Sequence, residues 1–220
     1  AAGVDPYQHY LTYGWKEGRD PSAYFSTVGY LDANPDVKQA QVDPLLHYHT
    51  FGWKEGRDPS TDFDTSFYLV HRPDVAAAQM DPVEHYLKYG ISEHAPVLPA
   101  VGSSISQQDF DPEFYKMSFD DVAKAGVDPF WHYDTFGWHE GRNPNALFDT
   151  DYYLSQNPDV AVAGMDPLVH YEQYGWKEGR NPSPLFNTNE YLAANPDVAA
   201  AHIDPLHHFL AYGLYEGRLP

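Results

Sequence analysis

Six histidines stand at one position of a recurring phrase: His9, His47, His85, His132, His170 and His208. Histidine moves protons near neutral pH and ligates zinc or copper, so six equivalent copies invite either chemistry. They come one per 38 to 47 residues, each followed by a Tyr or Phe. Metal ligands must converge from neighbouring turns. The expected role is therefore structural, a buried imidazole hydrogen-bonded to the backbone or a carboxylate of an adjoining repeat.

Two further sets recur. The acids Asp36, Asp74, Asp121, Asp159 and Asp197, and Glu17, Glu55, Glu93, Glu140, Glu178 and Glu216, could assemble calcium sites. Calcium asks for six to eight oxygens from a compact acidic loop, and neither EF-hand spacing nor a Gly-Gly-x-Gly-x-Asp nonapeptide occurs. Helix caps and an Arg partner for Glu account for most of these acids. Calcium is the one cofactor they could take, and none is required. The tryptophans Trp15, Trp53, Trp138 and Trp176 are the candidate ligand-binding residues, because exposed indoles stack on sugar rings. The same position is Ile91 before the one irregular stretch and Leu214 at the chain end, so Trp occurs only where another repeat follows in register. That pattern predicts an inter-repeat plug instead.

No Gly-x-Ser-x-Gly, phosphate loop, dinucleotide fingerprint or His-Glu-x-x-His occurs, and His139-Glu140 lacks a second histidine. Catalysis needs one asymmetric constellation, whereas nearly every polar residue here is one of five or six copies. No enzyme is expected.

The element that must position these residues reads, at its clearest, Asp166-Pro-Leu-Val-His-Tyr-Glu-Gln-Tyr-Gly-Trp-Lys-Glu-Gly-Arg-Asn-Pro182. Asp166 caps a helix whose first residue is Pro167, where the missing N–H costs nothing. Gly175 is expected to close it after about two turns. Pro167, His170, Tyr171 and Tyr174 share a face at offsets of three, four and seven, so that face is expected to be buried. The Asp-Pro pairs that open this phrase begin at Asp5, Asp43, Asp81, Asp128, Asp166 and Asp204, a period of 38 with one insertion of nine. Between them, Phe148-Asp149-Thr-Asp-Tyr-Tyr-Leu154 predicts a second helix capped by Asp149. A break follows at Asn157-Pro158 and then a third helical turn to Ala163. Pro or Gly interrupts every run, so strands are not expected.

Residues 95–109, rich in Pro, Ser and Gly, read as a linker. The predicted fold is all-α, tandem short-helix repeats of 38 residues in two three-repeat blocks, 1–94 and 110–220. Ala1-Ala2-Gly3-Val4-Asp5-Pro6 matches Val162 to Pro167, so the chain opens in mid-repeat and upstream sequence is inferred to have been cut away.

Composition narrows the partners. A formal net charge of -19, from 32 acidic against 13 basic residues, excludes a nucleic-acid backbone and disfavours anionic membranes. No apolar run nears the ~20 residues that span a bilayer, so no membrane insertion is expected. The absence of cysteine removes disulfides, thiolate metal sites and thiol nucleophiles.

The phrases Asn157-Pro158-Asp159-Val160, Asp166 to Tyr171 and Tyr174-Gly175-Trp176-Lys177-Glu178-Gly179-Arg180 together resemble a repeat of proteobacterial, especially alphaproteobacterial, proteins. It accompanies secreted calcium-binding proteins of the RTX type, and a similar repeat accompanies large cell-surface glycosyltransferases. The resemblance covers nearly all of the chain outside residues 95–109 and implies an extracellular or cell-surface bacterial setting. It brings no activity with it, and the calcium-binding nonapeptides of such proteins are missing. The expected function is a non-enzymatic structural or protein-interaction module. The alternatives are a module that binds surface polysaccharide through exposed Tyr and Trp, or a calcium-stabilised repeat.

Overall fold

An aspartate followed by proline starts a helix at each of Asp5, Asp43, Asp81, Asp128, Asp166 and Asp204, whereas the pairs Asp20-Pro21 and Asp58-Pro59 lie in loops. At each helix start, the carboxylate accepts backbone N–H groups from the first turn, as at Asp166, which takes Leu168 N at 2.8 Å and Val169 N at 3.4 Å. These cap helices are short, seven residues at Pro6–Thr12, Pro44–Thr50 and Pro129–Thr135. A second helix follows after an αL residue and a loop, at Thr27–Ala33, Thr65–His71, Pro112–Ser118, Thr150–Gln156 and Thr188–Ala194; the αL residue is glycine except before Pro112–Ser118, where it is His94. Asn157 ends one of these, and Pro158 at once begins the third, Pro158–Ala163, because proline forbids continuation but suits a first position. The fold is all-α, and among the described residues there are only isolated bridges such as Ser22 to Phe25, no strands.

The computed structural model describes residues 5–106 and 108–220. Ala1 to Val4, on which the mid-repeat opening partly rests, lie outside them. The chain divides into two compact units, Ala1–Ser103 with Lys116–Ala125, and Ser104–Tyr115 with Gly126–Pro220. Residues 95–101, expected as linker, pack into the first unit. Leu98, Ala100 and Val101 are buried there, the Leu98 carbonyl accepts Asp64 N at 2.8 Å, and Val101 N reaches Asp64 Oδ2 at 2.9 Å. In regular repeats a proline carbonyl does that work, Pro59 for Ser26, Pro144 for Asp111 and Pro182 for Asp149. The irregular stretch thus supplies the edge that the next repeat would have supplied.

The largest enclosed side chains of each core are tyrosines and phenylalanines, with aliphatic residues such as Val37, Val75, Val160 and Leu168 filling in around them. Phe25, Phe63, Phe110, Phe148 and Phe186 are all buried, and so is the tyrosine five residues after each. The rings meet edge-on or tilted, for example Phe25 with Tyr30 and Tyr48 at 5.4 and 5.8 Å between centroids.

Two expectations about the cap helix need correction. Gly175 does not stop it. The helix Pro167–His170 widens into a π turn, Tyr171–Gly175, and Gly175 has ordinary helical geometry. In the first, second and fourth copies the corresponding Gly14, Gly52 and Gly137 open a 3-10 turn. Glycine is required for space: a Cβ on Gly175 would lie 2.2 Å from the Tyr153 hydroxyl, and one on Gly52 or Gly137 would meet Tyr30 or Tyr115 just as closely. The bend itself belongs to Gly179, at φ +71. Nor is Tyr174 buried with its face. Pro167 and Tyr171 are enclosed, His170 is half-buried, and Tyr174 is 51% exposed. A helix this short turns only one narrow stripe inward, so a ring seven positions on leaves the core.

Replacing Gly175 with Ala should therefore destabilise the protein by about 2 kcal/mol or more, although Ala is the better helix former. Adding Tyr153→Phe should recover part of that loss by removing the clashing oxygen. Denaturant melts read both, and a neutral or stabilising Gly175→Ala would show that the tyrosine does not need this space.

Candidate functional site

The recurring polar residues are brought together, but with one another. Each second-helix tyrosine reaches the histidine 17 residues later. Tyr30 Oη lies 2.9 Å from His47 Nδ1, and the same bond joins Tyr68 to His85, Tyr115 to His132, Tyr153 to His170 and Tyr191 to His208 at 2.9 to 3.0 Å. The partner expected for these histidines was backbone or carboxylate; the structure supplies a phenol. Only His85 and His208 are fully buried, and the other four are half-exposed. Burial pushes the Tyr30, Tyr68, Tyr153 and Tyr191 phenols above their ordinary value, so they keep their protons and donate. Nδ1 must then be the unprotonated nitrogen, with the ring proton on Nε2. Burial, aided by Arg57, Arg180 and Arg218, holds His47, His170 and His208 below the ordinary imidazole value. These rings are neutral acceptors.

The cap-helix tyrosines run a second series at the same separation. Tyr10 meets Thr27 Oγ1 at 3.1 Å, and Tyr48 and Tyr171 meet Thr65 and Thr188 at 2.9 Å. Each threonine hydroxyl donates to an arginine carbonyl eight residues earlier, Thr188 to Arg180 O at 2.7 Å, so the tyrosine is the donor here too. Where the series has no threonine to meet, it changes. Tyr86 turns to the Tyr24 hydroxyl at 3.5 Å, and the final copy carries Phe209, with no hydroxyl to satisfy.

The acids proposed for calcium belong to a third link. Arg180 grips Asp159 through both terminal nitrogens at 2.8 to 2.9 Å, takes Asn157 Oδ1 at 2.9 Å and reaches Glu178 from Nε at 2.6 Å. Arg57 and Arg218 repeat the arrangement with Asn34, Asp36 and Glu55, and with Asn195, Asp197 and Glu216. The guanidinium beside them holds Asp36, Asp159 and Asp197 down at about 2. Sequence reading paired Glu178 with Arg180 correctly but missed the reach of 21 residues back to Asp159. One repeat inverts the chemistry: Arg72 stands at the Asn34 position, Ala95 at the Arg57 position, and Arg72 itself binds Asp74 and Glu93. Among the described residues no three His, Asp or Glu side chains are placed to hold a metal ion.

The four tryptophans do not form one set of platforms. Trp53 is 5% exposed and belongs to the core of the first unit, while Trp15, Trp138 and Trp176 are half-buried. The indole N–H of Trp53, Trp138 and Trp176 turns back to the carbonyl four residues earlier, at 3.0 to 3.2 Å. A lysine lies 5.2 to 5.3 Å over Trp15, Trp53 and Trp176, and His139 stacks on Trp138 at 3.5 Å.

The recurring aromatic that the sequence reading assigned to the core is the exposed one. Tyr13, Phe51, Tyr89, Phe136, Tyr174 and Tyr212, each eight residues after its cap aspartate, are 41 to 59% exposed. Each leans on the histidine four residues before it, with centroids 5.3 to 5.9 Å apart. The neighbouring outward position, three residues after the cap, varies freely as Gln8, Leu46, Glu84, Trp131, Val169 and His207. An invariably aromatic class at an exposed position within one chain is the signal that periodicity alone concealed.

Removing the Trp53 side chain should cost about 3 kcal/mol or more, as for a buried ring, and Trp138→Ala less than half as much; equal losses in denaturant melts would contradict the difference in burial. No protein-family model, curated protein or solved structure matches this chain, and its function has to be read from these bonds and surfaces.

Proposed function

We propose that the chain is a non-enzymatic structural or interaction module of a secreted or surface-attached bacterial protein. The observation that carries it is the division of labour among repeated residues. Tyrosine, histidine, threonine, asparagine, aspartate and arginine are engaged with one another along the repeats, while an aromatic ring at the same recurring position of every cap helix is left facing solvent. A catalytic centre would need one place where the pattern breaks to expose an unpaired nucleophile or base. A repeated exposed ring fits recognition through several weak, equivalent contacts whose strengths multiply when they engage together. The bacterial surface setting is supported by the likeness of the Asn-Pro-Asp-Val and Gly-Trp-Lys-Glu-Gly-Arg phrases to repeats of such proteins.

Polysaccharide binding is the second function worth testing, and exposed Tyr and Phe favour it more than the tryptophans do, since Trp53 is 5% exposed and Trp15, Trp138 and Trp176 are half-buried. Phe136, Tyr174 and Tyr212 replaced together by Ser should leave the melting midpoint within a few degrees while retention on intact bacterial cells falls at least tenfold. Titration with purified neutral surface polysaccharide separates the two partners: saturation lost in the triple variant identifies the glycan, and none in either protein leaves a protein partner. Undiminished retention by the variant, or turnover of a glycan or peptide that one substitution abolishes, would overturn the proposal.

A further inference from the structure

Where one cap helix follows another within a unit, the residue six past the first cap aspartate lies near the second cap aspartate. In the first unit that residue is His49, which forms an ion pair with Asp81. In the second unit Glu172 occupies the corresponding position, opposite Asp204. Two acids thus stand where the first unit has an acid and a base.

These two border a small cavity of about 400 Å³ together with Asp109 and His207. Asp109 is 1% exposed, and His207 Nδ1 is 2.6 Å from its Oδ1. Its carbonyl accepts Asn145 Nδ2 at 2.7 Å, and its backbone is left-handed at φ +52. The His207 bond ties the segment before the second helix Pro112–Ser118 to the cap helix that begins at Pro205. Asp204 uses Oδ1 to cap that helix, accepting Leu206 N at 2.9 Å and His207 N at 3.3 Å. Asp204 Oδ2 and Glu172 Oε1 are shut away from solvent with no hydrogen-bond partner among the described residues. With all groups charged, three carboxylates would face one imidazolium, with Asp109, Asp204 Oδ2 and Glu172 Oε1 withdrawn from water, an arrangement that desolvation and like-charge repulsion make costly.

We propose that Glu172 and Asp204 carry protons in the folded second unit, making this cluster a proton-operated latch that holds the Asp109 segment against the Pro205 helix at neutral and mildly acidic pH and loosens in alkali. Burial, with the Asp109 and Asp204 charges and Asp166 beyond, pushes Glu172 up to about 8. Burial and Asp109 bring Asp204 to about 7. Asp109 is raised by its own burial, and the bond to Asp109 raises His207. The remaining groups around the cluster are the Tyr171 phenol, which stays protonated, and Asp166, itself raised by burial and by Asp134.

Every folded value in the cluster lies above its unfolded counterpart, so the folded form binds more protons. Its contribution is present at low pH and is lost as pH climbs through about 7 and 8. His170 and His208 act oppositely but only below the ordinary imidazole range, because their folded values are depressed. Between pH 6.5 and 9 the shifted groups that titrate are those of the cluster and, in the first unit, His49, raised by its bond to Asp81, so amide exchange inside the second unit reads the latch, which stands independently of the interaction function.

The test uses the full chain as wild type, Glu172→Gln, Asp204→Asn, the double variant and the exposed control Glu190→Gln; asparagine keeps the helix cap. Amide exchange around Asp109 and Pro205–His208, corrected for intrinsic rates, is followed with the thermal midpoint from pH 6.5 to 9. Wild type and Glu190→Gln should lose about tenfold or more in protection, Glu172→Gln should lose less, and the double variant, which keeps the raised His207 and Asp109, should lose least and hold the higher midpoint at pH 8.5. Wild-type protection that holds or rises to pH 9, or a Glu172→Gln slope equal to wild type, would overturn the latch. Millimolar calcium and a chelator should each leave the alkaline loss unchanged. Its rescue by calcium in wild type alone would replace the latch with a cation site.

Discussion

A buried tyrosine hydroxyl bonded to a residue 17 positions further along the chain is the interaction on which both units depend. The helices are too short to persist alone, since nucleation costs more than one or two turns return. Their stability must come from packing, and the packing is done by rings that are nearly all fully enclosed. Each such tyrosine brings a hydroxyl into the core, where an unmet hydrogen bond costs roughly 1 to 3 kcal/mol. Histidine or threonine meets it, depending on the helix from which the tyrosine comes, except at Tyr86, which meets Tyr24. A misregistered repeat would leave a phenol, an imidazole and a threonine unsatisfied together. The ladder thus fixes register in a way that aliphatic packing could not.

The other recurring features serve that bond. Glycine at the end of every cap helix after the first clears a path for the tyrosine oxygen, and a side chain there would occupy its place. Asparagine at the helix break donates to the tyrosine carbonyl, Asn157 to Tyr153 O at 2.7 Å, and offers its own oxygen to the arginine of the next turn. That arginine closes the unit on its solvent side through Asp and Glu. The exchange of Asn for Arg72 and Arg for Ala95 shows that what is kept is the neutralised bridge, with the cation free to come from either end.

Much of this was legible in the sequence. Period, caps, the proline that begins each helix and the asparagine-proline break follow from local rules, and local rules govern helices one or two turns long. The 17-residue partnership was also present in the letters, as a constant distance from Tyr153 to His170 or Tyr171 to Thr188. Hydrophobic periodicity does not report which polar atoms meet, so carboxylate or backbone was the natural expectation for histidine. The same blindness placed Tyr174 inside: an offset of seven joins a buried face only where a helix packs along its whole length. Residues 95–101 looked like a linker because Pro, Ser and Gly signal irregular backbone, and irregular backbone can still be buried when its carbonyls have amides to receive them. Glu172 gave no signal, since its meaning comes only from the second aspartate brought beside it.

Nitrogen-15 spectra of the histidine side chains, followed with pH, test the ladder most directly. His47, His85, His132, His170 and His208 should all carry the neutral ring proton on Nε2, and His47, His170 and His208 should remain neutral below the range in which a solvated imidazole titrates. Rings that exchange between tautomers, or His47, His170 and His208 titrating like free histidine, would contradict it, because the tyrosine bond that organises each unit would then be absent in solution.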